Sequence, residues 1–137
     1  MEQKTIIKIV KRIKLAKRHK RVTNCFGTAF YIAGIFEKDM FICSPYIYEP
    51  AIAKLTKLEQ PELYSLAIFK RGENRYIDHI AIITRINPLL ITHRDLDEQF
   101  KKDEPLDEVV KRHSSESLVK TYGSITDIEY RRIPNFN

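Results

Sequence analysis

The stretch Val22-Thr23-Asn24-Cys25-Phe26-Gly27-Thr28-Ala29-Phe30-Tyr31-Ile32-Ala33 joins a capping residue, a cysteine and an apolar run of helical length. Thr23 or Asn24 is the expected N-cap of a helix over 24–36, and Phe30, Ile32, Ala33 and Phe36 are its apolar surface. Gly27 and Gly34 lower its propensity and let another backbone come close. The positive end of the helix dipole then falls on the Cys25 thiol and favours its thiolate. A thiol nucleophile also needs a base. His79 stands at the head of Ile80-Ala81-Ile82-Ile83, and His93 closes the next apolar run.

Upstream, residues 1–20 read as a basic amphipathic helix. Ile6, Ile9, Val10, Ile13 and Ala16 recur at spacings of three and four with lysines and arginines between them. Downstream, Asp39 to Cys43 is a short strand candidate, and a short helix is expected over 51–59. Strands follow at Tyr64 to Lys70, Tyr76 to Thr84 and Pro88 to Thr92, and a last strand at Ser124 to Arg132. The polar segment 95–121 carries one or two short helices around Pro105-Leu106-Asp107-Glu108-Val109-Val110. Helices first and an antiparallel sheet afterwards make an α+β domain of about five strands.

The 137 residues suffice for one domain with a proper core. With 43% hydrophobic and 31% charged residues the chain should fold alone. A net charge of +6 and a pI near 9.3 suit nucleic acid, an anionic cell-wall polymer or an acidic membrane surface without choosing among them. Two cysteines form no disulfide framework, so both are expected as thiols in a reducing compartment. The first eleven residues lack an unbroken apolar stretch, and no run approaches membrane-spanning length, so a cytoplasmic protein is expected. The four glycines are spread singly, which excludes a glycine-rich phosphate loop.

The histidines can be placed by register. If 76–84 and 88–94 form a hairpin with Ile83 paired to Leu89, the loop is the five residues from Thr84 to Pro88 and His79 lies opposite His93. Their Cβ atoms would be about 5 Å apart on one face, close enough for one imidazole to orient the other. A one-residue slip would send His93 to the opposite face and leave Asp95 or Asp78 as the orienting group.

Asn24-Cys25-Phe26-Gly27 resembles the Asp-Cys-Ser-Gly motif of the NlpC-type cell-wall peptidases, a papain-like family. His79-Ile80-Ala81-Ile82-Ile83 resembles their His-Val-Gly-Ile-Tyr strand, and Leu90-Ile91-Thr92-His93 the strand that ends in their third catalytic residue. Tyr64-Ser65-Leu66-Ala67-Ile68-Phe69 sits where they carry Gly-Asp-Leu-Val-Phe-Phe. The likeness covers residues 22–93, with 54 positions from Cys25 to His79 and 14 from there to His93. It implies a papain-like domain with a nucleophile helix at 24–36 and a sheet over 64–93 and 124–132. It also implies Cys25 as nucleophile, His79 as general base and acid, and His93 as orienting residue. Amide hydrolysis or acyl transfer would follow. Asn24 and Phe26 flank the nucleophile and are the expected substrate contacts; the substrate would be a peptide or another amide, cell-wall peptide included. Asn24, Phe26, Ala81 and Ile83 depart from the family pattern, and residues 1–24 lack the tyrosine it places upstream.

No cofactor is expected. Zinc could take Cys25, His79 and His93, but no short-spaced ligand pair supports a metal site. Cys43 is expected to be buried, and His19 and His113, set among lysines and arginines, to be solvated. Asp95, Asp97 and Glu98 read as a helix start. The competing function is a non-catalytic basic module that holds nucleic acid or another polyanion through residues 1–21.

Overall fold

The computed structural model describes residues 1–19, 22–95, 99–115 and 123–137. These form four helices and a six-stranded antiparallel sheet, an α+β arrangement with one strand more than expected. Helices α1 (Gln3–Arg18), α2 (Cys25–Ile32) and α3 (Pro45–Ala53) come first. Strands β1 (Lys57–Leu58), β2 (Ser65–Arg71), β3 (Tyr76–Arg85), β4 (Leu90–Arg94) and β5 (Phe100–Pro105) follow, then α4 (Leu106–Ser114) and β6 (Ile125–Arg132). The strand order is β1-β6-β2-β3-β4-β5. Among the described residues no helix is long and apolar enough to cross a membrane.

The central strands are covered on both faces. Leu66, Ile68, Ile80 and Ile82 point to α1 and α2, where Ile9, Ile13, Ala16, Ala29, Phe30 and Ile32 meet them. Ala67, Phe69, Ala81, Ile83 and Ile91 point the other way, to Leu106 and Val109 of α4. Each large apolar side chain removed from water here contributes about 1.5–3 kcal/mol. The α1 stripe buries Ile9, Ile13 and Ala16 as the spacing predicts, with Thr5 in line. Arg12 turns inward instead of joining the solvated face. Its guanidinium donates to the carbonyl of Tyr31 at 2.6 Å, in the last turn of α2, and to that of Phe36 at 3.1 Å, just beyond it.

Several elements differ from the sequence expectation; β4 runs Leu90–Arg94 where Pro88 to Thr92 is expected. Helix α2 stops at Ile32, short of residue 36, because Gly34 adopts φ 75° and the Ile35 N–H closes back on the Phe30 carbonyl at 2.9 Å. The helix expected over 51–59 starts earlier, since Pro45 suits a first helical position. Asp39 to Cys43 is not a strand. It runs against α2 instead, and a Cβ on Gly27 would lie 1.5 Å from the Met40 carbonyl oxygen.

The β3–β4 register also differs. Ile83 pairs with Ile91, not Leu89, and Ile82 with Thr92. The shift is two residues at Ile82 and Ile83, so His79 and His93 keep the face expected for them; past Ile83 a further shift pairs Arg85 with Leu90.

Candidate active site

Asn24 caps α2, its Oδ1 accepting the Gly27 N–H at 3.0 Å. The same side chain accepts the Ile42 N–H at 3.2 Å and donates to the Ile42 carbonyl at 2.7 Å. Asn24 is thus a clamp between α2 and the 39–43 segment, and its amide is spent on backbone rather than on substrate. Phe26, the other expected substrate contact, is buried and stacks on Tyr48 with centroids 4.2 Å apart and planes 9° from parallel. Neither residue is left exposed at the thiol as a substrate contact would be.

Cys25 packs on the α1–α2 side of the sheet, and the backbone amide of Ile80 acts on its thiol to lower its pKa. The β3–β4 ladder ends at Ile82 and Thr92, so β3 has no strand partner from β4 at that level. Burial pushes the thiol up to about 12, against the lowering effect of the Ile80, Phe26 and Cys25 amides; the Asp78 carboxylate adds to the rise. The thiolate favoured by the helix dipole is therefore not the resting form, because desolvation outweighs the dipole. No hydrogen bond joins this sulfur to a ring of His79 or His93. Cys43, expected buried, is exposed.

His79 and His93 meet on the α4 side. His79 Nε2 lies 2.7 Å from His93 Nδ1, with the ring planes 82° apart. The paired imidazoles expected from the hairpin are present, on a diagonal rather than directly opposite. His93 Nε2 in turn lies 2.7 Å from Glu104 Oε1 on β5, and Arg112 of α4 donates to that oxygen at 3.0 Å. Burial, then His93 and His113, hold His79 well below the ordinary histidine range. Burial also lowers His93, with Glu104 opposing. Burial works upward on Glu104, but hydrogen bonds from His93 and Arg112 outweigh it and keep the carboxyl below its ordinary value.

A β-bulge completes the cluster. Phe69 pairs with His79 and Lys70 with Ile77, so Asp78 is the extra residue. Two consecutive side chains, Asp78 and His79, consequently face α4. Asp78 receives Arg71 Nε at 3.1 Å and lies 3.0 Å from His113 Nδ1. Burial acts upward on Asp78, yet His113 and Arg71 hold it low. His113 is not solvated as expected but fully buried, 4.5 Å from the His79 ring centroid, with Nε2 3.0 Å from Asp95 Oδ1. Asp95 also pairs with Lys101 and Arg112. Asp97 and Glu98 lie outside the described residues. His19 is half-buried on Asp39, its Nδ1 2.8 Å from Oδ2.

The ligand-type atoms of His79, His93 and Asp95 fall within 4.8 Å of one another. Each is already engaged: the ring nitrogens with each other, and Asp95 with His113, Lys101 and Arg112. A tetrahedral ion would also need its ligand atoms about 3.3 Å apart, wider than the contact seen. The cluster is a hydrogen-bonded network more than a donor set.

His113, Glu104 and Tyr48 are the residues the sequence did not single out. A signal existed for His113: Leu106, Val109 and His113 form the buried stripe of α4 at helical spacing. Glu104 had none, since a charged strand reads as loop. Tyr48 is half-buried; burial raises its phenol, and Glu49, Cys25 and Cys43 add to the rise. Comparison of the chain with models of known families, with characterised proteins and with solved structures finds no match in any of the three.

Proposed function

We propose that the chain is a thiol-dependent hydrolase or acyltransferase acting on amide bonds, built on a divergent papain-like scaffold of the NlpC type. Cys25 is the nucleophile, His79 the general base and acid, and His93 the orienting residue. The observation that carries this is the 2.7 Å contact between His79 and His93. Cys25 packs on the other side of β3, so the reading requires thiol and imidazole to be brought together when substrate binds.

The resting pair is a neutral thiol and a neutral imidazole, which sets the chemistry. His79 takes the thiol proton as sulfur attacks the carbonyl carbon. The oxygen becomes an oxyanion that the N–H of Cys25 at the start of α2 can receive; the Tyr48 phenol is a second candidate donor. His79 then returns the proton to the amine as the C–N bond breaks, leaving a thioester. Water or an acceptor amine attacks the thioester, giving its proton to His79, and the thiol is regenerated with the same proton. Thiol and imidazole are not in contact in the unliganded state, so this order requires a movement of the α2 start or of β3 on substrate binding.

The test is an activated acyl probe, p-nitrophenyl acetate, with the adduct located by peptide mass mapping. Acetyl should appear on Cys25 in the parent protein and in a Cys43→Ser variant, and should be lost in His79→Ala. Acetyl confined to the exposed Cys43 or to lysines, and indifferent to His79→Ala, overturns the proposal.

The alternative, polyanion binding, rests on the solvent-facing lysines of α1, Lys4, Lys8, Lys11, Lys14 and Lys17. It is separated by heparin retention with a steep salt dependence that survives Cys25→Ala.

A further inference from the structure

We infer that Glu104 is a positioning residue that fixes the tautomers of His93 and His79 in series, leaving the Nδ1 of His79 as the bare, proton-accepting nitrogen. The inference concerns proton placement, and its catalytic consequence rests on the thiol mechanism above.

The argument follows donors and acceptors. Arg112 shares Oε1 of Glu104 with His93 Nε2, which keeps this carboxyl a carboxylate. A carboxylate only accepts, so His93 must present N–H at Nε2. A neutral imidazole has one N–H, so His93 Nδ1 is a lone pair. That lone pair lies 2.7 Å from His79 Nε2, which must therefore carry the proton. His79 Nδ1 is left bare. The remaining charged groups around the rings are held among themselves: Asp78 by Arg71 and His113, and Asp95 by His113, Lys101 and Arg112.

Glu104→Leu is the sharp variant, since it removes the acceptor shared by His93 and Arg112. Nothing then holds the proton on His93 Nε2, and His93 and His79 become mixtures of both tautomers.

The experiment is nitrogen-15 NMR of histidine-labelled protein, with acetylation by p-nitrophenyl acetate followed in parallel. The parent should show His79 protonated at Nε2 and bare at Nδ1. Glu104→Leu should leave His79 a mixture of the two tautomers and slow Cys25 acetylation several-fold. His79 protonated at Nδ1 in the parent overturns the inference, and that measurement needs no variant to fold. An unchanged His79 tautomer in a folded Glu104→Leu protein overturns it as well. If the tautomer moves as expected while acetylation does not change, the assignment of Glu104 stands and the thiol mechanism fails.

Discussion

Two buried ionic networks lie on opposite faces of one sheet, and they do different work. On the α1–α2 face, Asp39 accepts from the hydroxyls of Thr23 and Thr28 and pairs with His19 and Arg94. Arg94 adds bonds to Thr28 at 2.9 Å and to the Ala16 carbonyl at 3.1 Å. That network ties α1, α2 and β4 together around one carboxylate. On the α4 face three imidazoles stand in ring-to-ring contact, two of them sharing a proton. A carboxylate ringed by donors can only hold; imidazoles in series can pass a proton and return it. Burial of polar groups is common to both faces, so it does not by itself mark a site.

The comparison breaks most sharply at His79. His79→Ala should lower Cys25 acetylation by about 10²–10⁴-fold, the range of general-base catalysis, with Cys25→Ala abolishing it. Rates of p-nitrophenyl acetate turnover, corrected for background hydrolysis, read this out. The urea midpoint should move less in His79→Ala than in the next variant.

Asp39→Ala attacks the other face. It removes the carboxylate from beside Arg94, which is 6% exposed and stays buried. Breaking a buried pair in this way costs about 3–5 kcal/mol, a large part of a domain's stability. Urea denaturation measures it. The imidazole network is untouched, so the His79 tautomer read by nitrogen-15 NMR should stay as in the parent. Cys25, on the same face as Asp39 and between Thr23 and Thr28, can lose acetylation. A changed His79 tautomer in folded Asp39→Ala protein couples the two faces, and the distinction fails.

The sequence was legible wherever a period ran undisturbed. The α1 stripe, the cap at Asn24 and the strands β2, β3, β4 and β6 follow from spacing and alternation. So does the His79–His93 meeting, because a two-residue register error preserves the face. Strand β5 was hidden because an edge strand carries charge; Phe100-Lys101-Lys102-Asp103-Glu104-Pro105 has no alternation to read. The bulge at Asp78 was hidden for a related reason, since an extra residue changes facing without any mark in composition. The thiol's protonation was misjudged because the dipole is visible in a sequence and desolvation is not.

Acid should find the α4 face before other parts of the molecule. The ordinary histidine value of 6.5 applies in the unfolded chain, while folding lowers both His79 and His93. Below 6.5 the unfolded state therefore binds more protons, and stability falls as pH drops from there toward the folded values. Each histidine contributes about 1.4 kcal/mol per pH unit within that window. Asp78 and Glu104, also lowered on folding from 3.8 and 4.5, add a second decline further into acid. Urea midpoints from neutral pH downward should show a slope beginning near the histidine value, and His93→Asn should flatten that first slope. At the alkaline end the sign reverses for Cys25. Its thiol rises on folding from 9.0 to about 12, so stability should fall above 9.0, and Cys25→Ala should remove part of that fall.

The smallest effect separates two duties of a single side chain. Asn24 caps α2 through Oδ1 and clamps Ile42 through both Oδ1 and Nδ2. Asn24→Asp keeps an acceptor for Gly27 and adds charge at the favourable end of the helix, worth about 0.3–1 kcal/mol. It also replaces the amide donor by an oxygen facing the Ile42 carbonyl, now 2.7 Å from Nδ2, and loses about 1 kcal/mol for that bond. Asn24→Ala loses cap and clamp together, about 2 kcal/mol in all. The ordering parent, Asp, Ala in urea midpoint says the clamp matters in addition to the cap. An Asp variant as stable as the parent says that the cap alone holds Cys25 in place, and that the 39–43 segment follows α2 by packing at Gly27 instead of through Asn24.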